Sequence, residues 1–284
     1  MTAPTGTLGT LISVAPTGAE TAKVDVPHLP TSVEELVATA RACQDAGAGL
    51  VHVHVRDAAH RPTLDPVLLR EAVVALRENT DLVVQLSTGG SVHDGLDARL
   101  AVLDADPDSC SLTCGTLNFG DEVFLNPWAF MVELYQGSQA REVVPEFELF
   151  DLGHVEALRR LLDTYGLPYG GAVHVDFVTG VPGGMPATPQ AVLAGVAMLP
   201  DAVTSWSATG VGRGHLPVAA TALAAGGHLR VGMEDTVTFA KGQPVRDNAQ
   251  LVARAADLAG LVQRPALTPA QARDLLRVKD RRGR

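Results

Sequence analysis

Lysine is nearly missing from this 284-residue chain: of 22 basic residues only Lys23, Lys241 and Lys279 are lysines. Cysteine is scarce too, with Cys43, Cys110 and Cys114 the whole complement. So small and odd a set cannot build a disulfide framework, and it points to a reducing compartment. Positive charge is in deficit, the formal net charge being −10, which disfavours a broad surface for nucleic acid or anionic membrane. No apolar run approaches the ~20 residues that a membrane helix needs. The opening MTAPTGTLGT lacks the basic stretch and apolar core of a secretory signal. These absences lead us to expect a soluble, cytoplasmic protein with small-molecule partners. The basic tail from Arg277 to Arg284 reads as a solvated, frayed end.

What is present narrows the fold. The chain is 46% hydrophobic, with 28 Gly and 18 Pro, too apolar for disorder and too rich in turn formers for a helical bundle. Apolar, β-branched runs predict strands at 8–15, 49–55, 82–87, 110–115, 146–151, 172–179, 203–209 and 227–233. Between them lie segments of helical spacing near 65–78, 93–104, 153–165, 188–198 and 213–225, with further helices at 245–262 and 268–277. Another helix opens on a capping-box pattern, Ser32 followed three residues later by Glu35. The stretch 120–140 is ambiguous, because Pro127 and Gly137 interrupt a helical pattern. Strands separated by helices must pair in parallel, and eight is the number that closes such a sheet. No Gly-x-Gly-x-x-Gly fingerprint follows the first strand, against an open dinucleotide-binding sheet. The expectation is an α/β fold, a (β/α)8 TIM barrel forming one domain over residues 1–284, with a C-terminal helical extension from about 245 to 278.

Function in such a barrel collects where the strands end. The second strand closes on His52-Val53-His54-Val55-Arg56-Asp57, and a period of two places both imidazoles on one face. The eighth closes on Arg230-Val231-Gly232-Met233-Glu234-Asp235; the same alternation would put Arg230, Gly232 and Glu234 together. His52, His54 and Glu234 then make a three-ligand set with an open position, the pattern of a catalytic metal site. Two plainer readings stay open: satisfied core histidines, and a simple Arg230–Glu234 ion pair. Ser87-Thr88-Gly89-Gly90 offers backbone N–H groups to an anion, and Ser87, Thr116 and Asn118 would complete a neutral pocket. Glu20 and Glu148 are further acids near the mouth. His174 and Asp176 share a face of the sixth strand, where a buried hydrogen-bonded pair is as reasonable as a role in chemistry. Cys114 reads as a small buried apolar residue.

Six segments, in order, resemble the β-keto acid cleavage enzymes: His52 to Asp57, Ser87 to Gly90, Gly115 to Gly120, Val181 to Met185, Gly210 to Arg213 and Arg230 to Asp235. The resemblance spans about residues 10 to 262. It implies a zinc-dependent barrel that converts a β-keto acid and acetyl-CoA into acetoacetate and a new acyl-CoA by Claisen and reverse-Claisen steps. It also implies Zn2+ on His52, His54 and Glu234, chemistry by Arg230, Asp235 and Ser87, and substrate binding by Glu20, Ser87, Gly89, Gly90, Thr116, Asn118 and Glu148. A homo-oligomer, by resemblance a tetramer, follows. Glu20 with Glu148 hints at a cationic substrate such as 3-keto-5-aminohexanoate, although Glu20 could equally pair with Arg56 or Lys23. Arg213 is a candidate for the CoA phosphates. No predicted strand carries a lysine, which disfavours a Schiff-base aldolase. The competing reading is a metal-dependent amidohydrolase-type barrel, which would want its His-x-His on the first strand.

Overall fold

The computed structural model describes residues 9–282. The predicted first residue of the opening strand, the segment read against a secretory signal and the last two tail residues lie wholly or largely outside them. Eight parallel strands close a barrel in chain order: β1 (Ile12–Val14), β2 (Leu50–Val53), β3 (Val83–Leu86), β4 (Ser109–Thr113), β5 (Val144–Leu149), β6 (His174–Thr179), β7 (Ser205–Gly210) and β8 (His228–Val231). Closure runs through Ile12 opposite Leu229 and Val14 opposite Val231. The helices are α1 (Val33–Asp45), α2 (Pro66–Asn79), α3 (Leu96–Ala101), α4 (Trp128–Ala140), α5 (Leu152–Tyr165), α6 (Pro189–Met198), α7 (His215–Ala224), α8 (Asn248–Leu261) and α9 (Pro269–Leu276). None described is long and apolar enough to cross a membrane.

Local chemistry starts these helices where the sequence places a short polar side chain. Ser32 and Glu35 form the expected reciprocal box, with Glu35 N–H donating to Ser32 Oγ and Ser32 N–H donating to Glu35 Oε2. Asp65, Asp151, Thr188, Asp247 and Thr268 cap α2, α5, α6, α8 and α9 with side-chain oxygens, Thr268 also in a reciprocal box with Gln271. Each satisfies an N–H that the first turn leaves without a partner.

Strand alternation sorts the side chains. Val51, Val53, Phe147, Val175, Phe177 and Leu229 are buried against the helical layer in one apolar core. Their polar neighbours meet one another inside the barrel: His52 with Gln85, His174 with Ser205 and Ser207, Asp176 with Ser207 and Thr209. His174 and Asp176 are thus members of a buried hydrogen-bonded network, with Glu146 3.5 Å from His174 Nε2. Cys114 is fully buried.

Three expectations change. The first strand is shorter than predicted, because Thr10 exchanges backbone hydrogen bonds with Pro265 and Leu267 at the chain's other end. The ambiguous 120–140 stretch is half of a hairpin, Leu117–Phe119 against Glu122–Phe124, followed by α4, with Pro127 at its cap. The basic tail is docked rather than frayed as far as Arg282. Arg281 is 3% exposed, pairs with Asp106 and donates to the carbonyls of Arg141 and Glu142, and Lys279 pairs with Glu142. Those partners lie in loops that enter β4 and β5, so the tail covers the end of the barrel opposite the strand ends.

Candidate active site at the barrel mouth

At the C-terminal ends of the strands, His52, His54 and Glu234 each offer a ligand atom within 4.8 Å of the others. His52 sits in β2 and His54 one residue beyond it, with ring centroids 5.3 Å apart. Glu234 arrives differently from the expectation. β8 stops at Val231, so strand alternation does not carry to Glu234; a turn delivers it. Glu234 N–H donates to Ala15 O at 3.1 Å, and Asp235 N–H to Gly232 O at 3.1 Å. Only glycine fits at 232, where φ is +158° and a Cβ would lie 1.9 Å from Ala15 O. On the other side, Gly18 (φ +63°) lets the β1 loop pass so close that a Cβ there would meet Glu234 Cγ at 2.6 Å.

The protonation states suit a divalent cation. Burial, then the Arg230 charge, pulls His52 down to about 3, and burial lowers His54 as well. Both imidazoles are therefore neutral and can donate a lone pair. Burial alone would raise Glu234, but the Arg230 charge holds it down to about 2. His52 Nδ1 bonds Gln85 Oε1 at 2.5 Å, which requires the proton on Nδ1 and leaves Nε2 bare towards Glu234, 3.9 Å away. Glu234 Oε2 is buried without a hydrogen-bond partner. Such an orphaned acceptor is costly unless something cationic completes it.

Arg230, 6% exposed, ties this group to the rest of the mouth. Its guanidinium meets Glu234, lies 3.1 Å from Asp235 Oδ1 and reaches Glu148 Oε1 at 3.2 Å. Burial pushes Asp235 up to about 7 against the pull of Arg230, and raises Glu148 and Asp176. The Arg230 guanidinium thus pairs with three carboxyl groups and acts on a fourth, Asp176, and Glu234, held low, carries the negative charge that favours a cation beside the two histidines.

A cavity of about 210 Å3 opens over this cluster, bordered by Ser87, Gly89, Gly90, Glu20 and Glu148 among the predicted residues. Glu148 is committed to Arg230 and to the Thr113 hydroxyl at 2.8 Å. Thr116 and Asn118 are not brought to the cavity wall. Both are exposed, and the Thr116 hydroxyl accepts the Asn126 N–H at 2.8 Å, which braces the hairpin. Arg56 donates to the carbonyls of Gly18 and Thr21, and Lys23 is taken by Glu35. No lysine borders the cavity.

Two residues with evident site roles were not singled out from sequence. Gln85 lies two residues before Ser87 on the same face, a signal that alternation could have supplied. Arg99 is buried in α3, donates to Thr88 O at 2.7 Å and Asn126 Oδ1 at 2.5 Å, and stacks on Phe124 and Phe130. It locks the Ser87–Gly90 turn against the hairpin, and nothing in its sequence context marks it.

Comparisons with known proteins show what the chain is similar to. A 3-keto-5-aminohexanoate cleavage enzyme of Acetoanaerobium sticklandii is 37% identical over 94% of this chain and 97% of its own. A 3-oxoadipate:acetyl-CoA acetyltransferase of Cupriavidus necator is 35% identical, covering 94% of each chain. Among solved structures, a ternary complex of ObcA with a C4-CoA adduct and oxalate superposes with a TM-score of 0.77 at 20% identity, over 89% of this chain and 68% of that one; this likeness concerns the fold. The family model described as beta-keto acid cleavage enzyme matches residues 10–278, and the chain belongs to that family.

Proposed function

We propose that the protein converts a β-keto acid and acetyl-CoA into acetoacetate and a new acyl-CoA. The observation that carries this reading is the gathering of His52, His54 and Glu234, with Glu234 held by the same arginine that holds Asp235, in a barrel of this family. Those three residues would hold a divalent ion, zinc suiting two neutral imidazoles and a carboxylate with a position left open. When bound, it supplies Lewis acidity to the β-carbonyl of the substrate.

The chain's own groups do the rest. Backbone N–H groups at Gly89 and Gly90, with the Ser87 hydroxyl, hold the substrate carboxylate. Asp235, kept in place by Arg230, removes the α-proton, through Ser87 where its reach requires. The enolate carbon attacks the acetyl carbonyl; a C–C bond forms, the C–S bond breaks and CoA leaves as thiolate. That thiolate attacks the substrate's own β-carbonyl. A new C–S bond forms, the original C–C bond breaks, and the acetoacetate carbanion takes the proton back from Asp235. Thr116, which braces the adjoining hairpin, and Asn118 would reach the substrate only from that hairpin, and Glu20 and Glu148 border the substrate. Arg213, exposed on the turn after β7, would meet the CoA phosphates.

The same reading makes the chain one barrel domain with a C-terminal helical extension, working in the cytoplasm as a homo-oligomer, a tetramer by family. Acetoacetate release from a panel of β-keto acids and acetyl-CoA, before and after chelation and zinc restoration, tests the reaction. Zinc-dependent acetoacetate from at least one acid is expected; none from any acid refutes it.

A further inference from the structure

We infer that the β-keto acid this protein takes carries an uncharged hydrocarbon group at its β-carbon, rather than an ammonium-bearing one. The inference rests on the reaction proposed above and concerns its substrate class. On its apolar side the cavity is walled by Val92, Phe119, Phe124, Phe150, Val181 and Val211. These arrive from separate places in the chain: the turn after β3, the hairpin after β4, and the loops after β5, β6 and β7. Phe119 meets Phe124 edge-on at 6.1 Å and Phe150 at 6.4 Å. The chain has seven phenylalanines, so nearly half of a scarce residue type converges on one wall.

The acids do not answer that wall with a cation site. Of the four carboxylates bordering the cavity, Glu148, Glu234 and Asp235 are gathered on Arg230. The fourth, Glu20, is exposed to solvent, where water screens what it can offer a charged group. The paired acids that suggested a cationic substrate are thus divided, one of them spent on Arg230. An ammonium group placed against the phenylalanines would exchange its water for ring faces whose attraction for a cation is weaker than the hydration it gives up, whereas a hydrocarbon group gains by the same transfer.

Two acids that differ only by methyl for ammonium make the test: 5-methyl-3-oxohexanoate and 5-amino-3-oxohexanoate. Each is measured for turnover with acetyl-CoA by the zinc-loaded protein, and for binding by calorimetry without acetyl-CoA. The methyl acid is expected to show kcat/KM and affinity higher by roughly tenfold or more. Val211→Asp, or Val92→Asp if the first variant misfolds, should narrow or reverse the ratio. An ammonium acid that binds and turns over as well as the methyl acid overturns this inference while leaving the reaction standing. Turnover of neither acid, with the methyl acid still the tighter ligand, sinks the reaction and supports the pocket. A Val211→Asp variant that raises KM for acetyl-CoA without altering the acid preference assigns the wall to the thioester arm, and also overturns the inference.

Discussion

Replacing Arg230 by methionine removes the guanidinium that pairs with Glu148, Glu234 and Asp235 and acts on Asp176 in the barrel mouth. Breaking a buried ion pair from one side costs about 3–5 kcal/mol, and here the partners left behind also repel one another. The loss should depend on pH with a definite sign. Asp235 is already raised to about 7 by burial, far above its unfolded value. A carboxyl group raised in this way binds more protons folded than unfolded, so it destabilises the fold above its unfolded pKa and ceases to do so as pH falls. Without Arg230, Asp235, Glu148 and Asp176 rise further, and each additional unit costs about 1.4 kcal/mol at high pH. Denaturant unfolding of the chelator-treated protein should therefore show a deficit of about 3–5 kcal/mol at pH 8, smaller by at least about 1 kcal/mol at pH 5.5. An Arg230→Met variant that loses less than about 1 kcal/mol, or loses the same amount at both pH values, would refute the reasoning.

Gln85→Leu removes the acceptor that orients His52, and divalent-ion affinity measured by competition with a chromophoric chelator should fall about 10- to 100-fold. Unchanged affinity would mean that packing alone orients the ring. Gly232→Ala drives a Cβ into the Ala15 carbonyl; acetoacetate production should be abolished and stability should drop by about 3 kcal/mol or more. An active, stable variant would show that the 232–235 turn can be rebuilt. Cys43, Cys110 and Cys114 are buried, and burial raises all three thiols, Cys43 to about 12. A thiol-exchange reagent should leave them unmodified until denaturant is added, and prompt reaction at neutral pH would contradict their placement.

The barrel was legible before any coordinates because its information is local and repeated. The runs around Val53, Leu86 and Phe177 alternate with helices that begin at Ser32, Asp65 and Thr188, and each cap acts within its own first turn. His52 and His54 could be placed together for the same reason: they are two residues apart on a strand. Glu234 reaches the histidines by a route that alternation does not give, because alternation cannot tell where β8 ends, and the turn exists only where Gly232 passes the Ala15 carbonyl. The hairpin at 117–124 escaped notice because Gly120 and its flanking residues carry too weak a signal to separate hairpin from helix. The tail misled because its arginines find Asp106 and the carbonyls of Arg141 and Glu142, partners remote in sequence.

Scarcity of lysine, three isolated cysteines and an excess of acid were sequence facts, and they bounded the chemistry and excluded a Schiff base from the strands. How the acids are shared was decided by tertiary structure. Glu148 belongs to Arg230, 82 residues away, and three of seven phenylalanines meet over the mouth although their loops follow different strands. Charge and aromatic content are sums along a chain. Which charge neutralises which, and which apolar groups share a wall, depends on distances that only barrel closure creates.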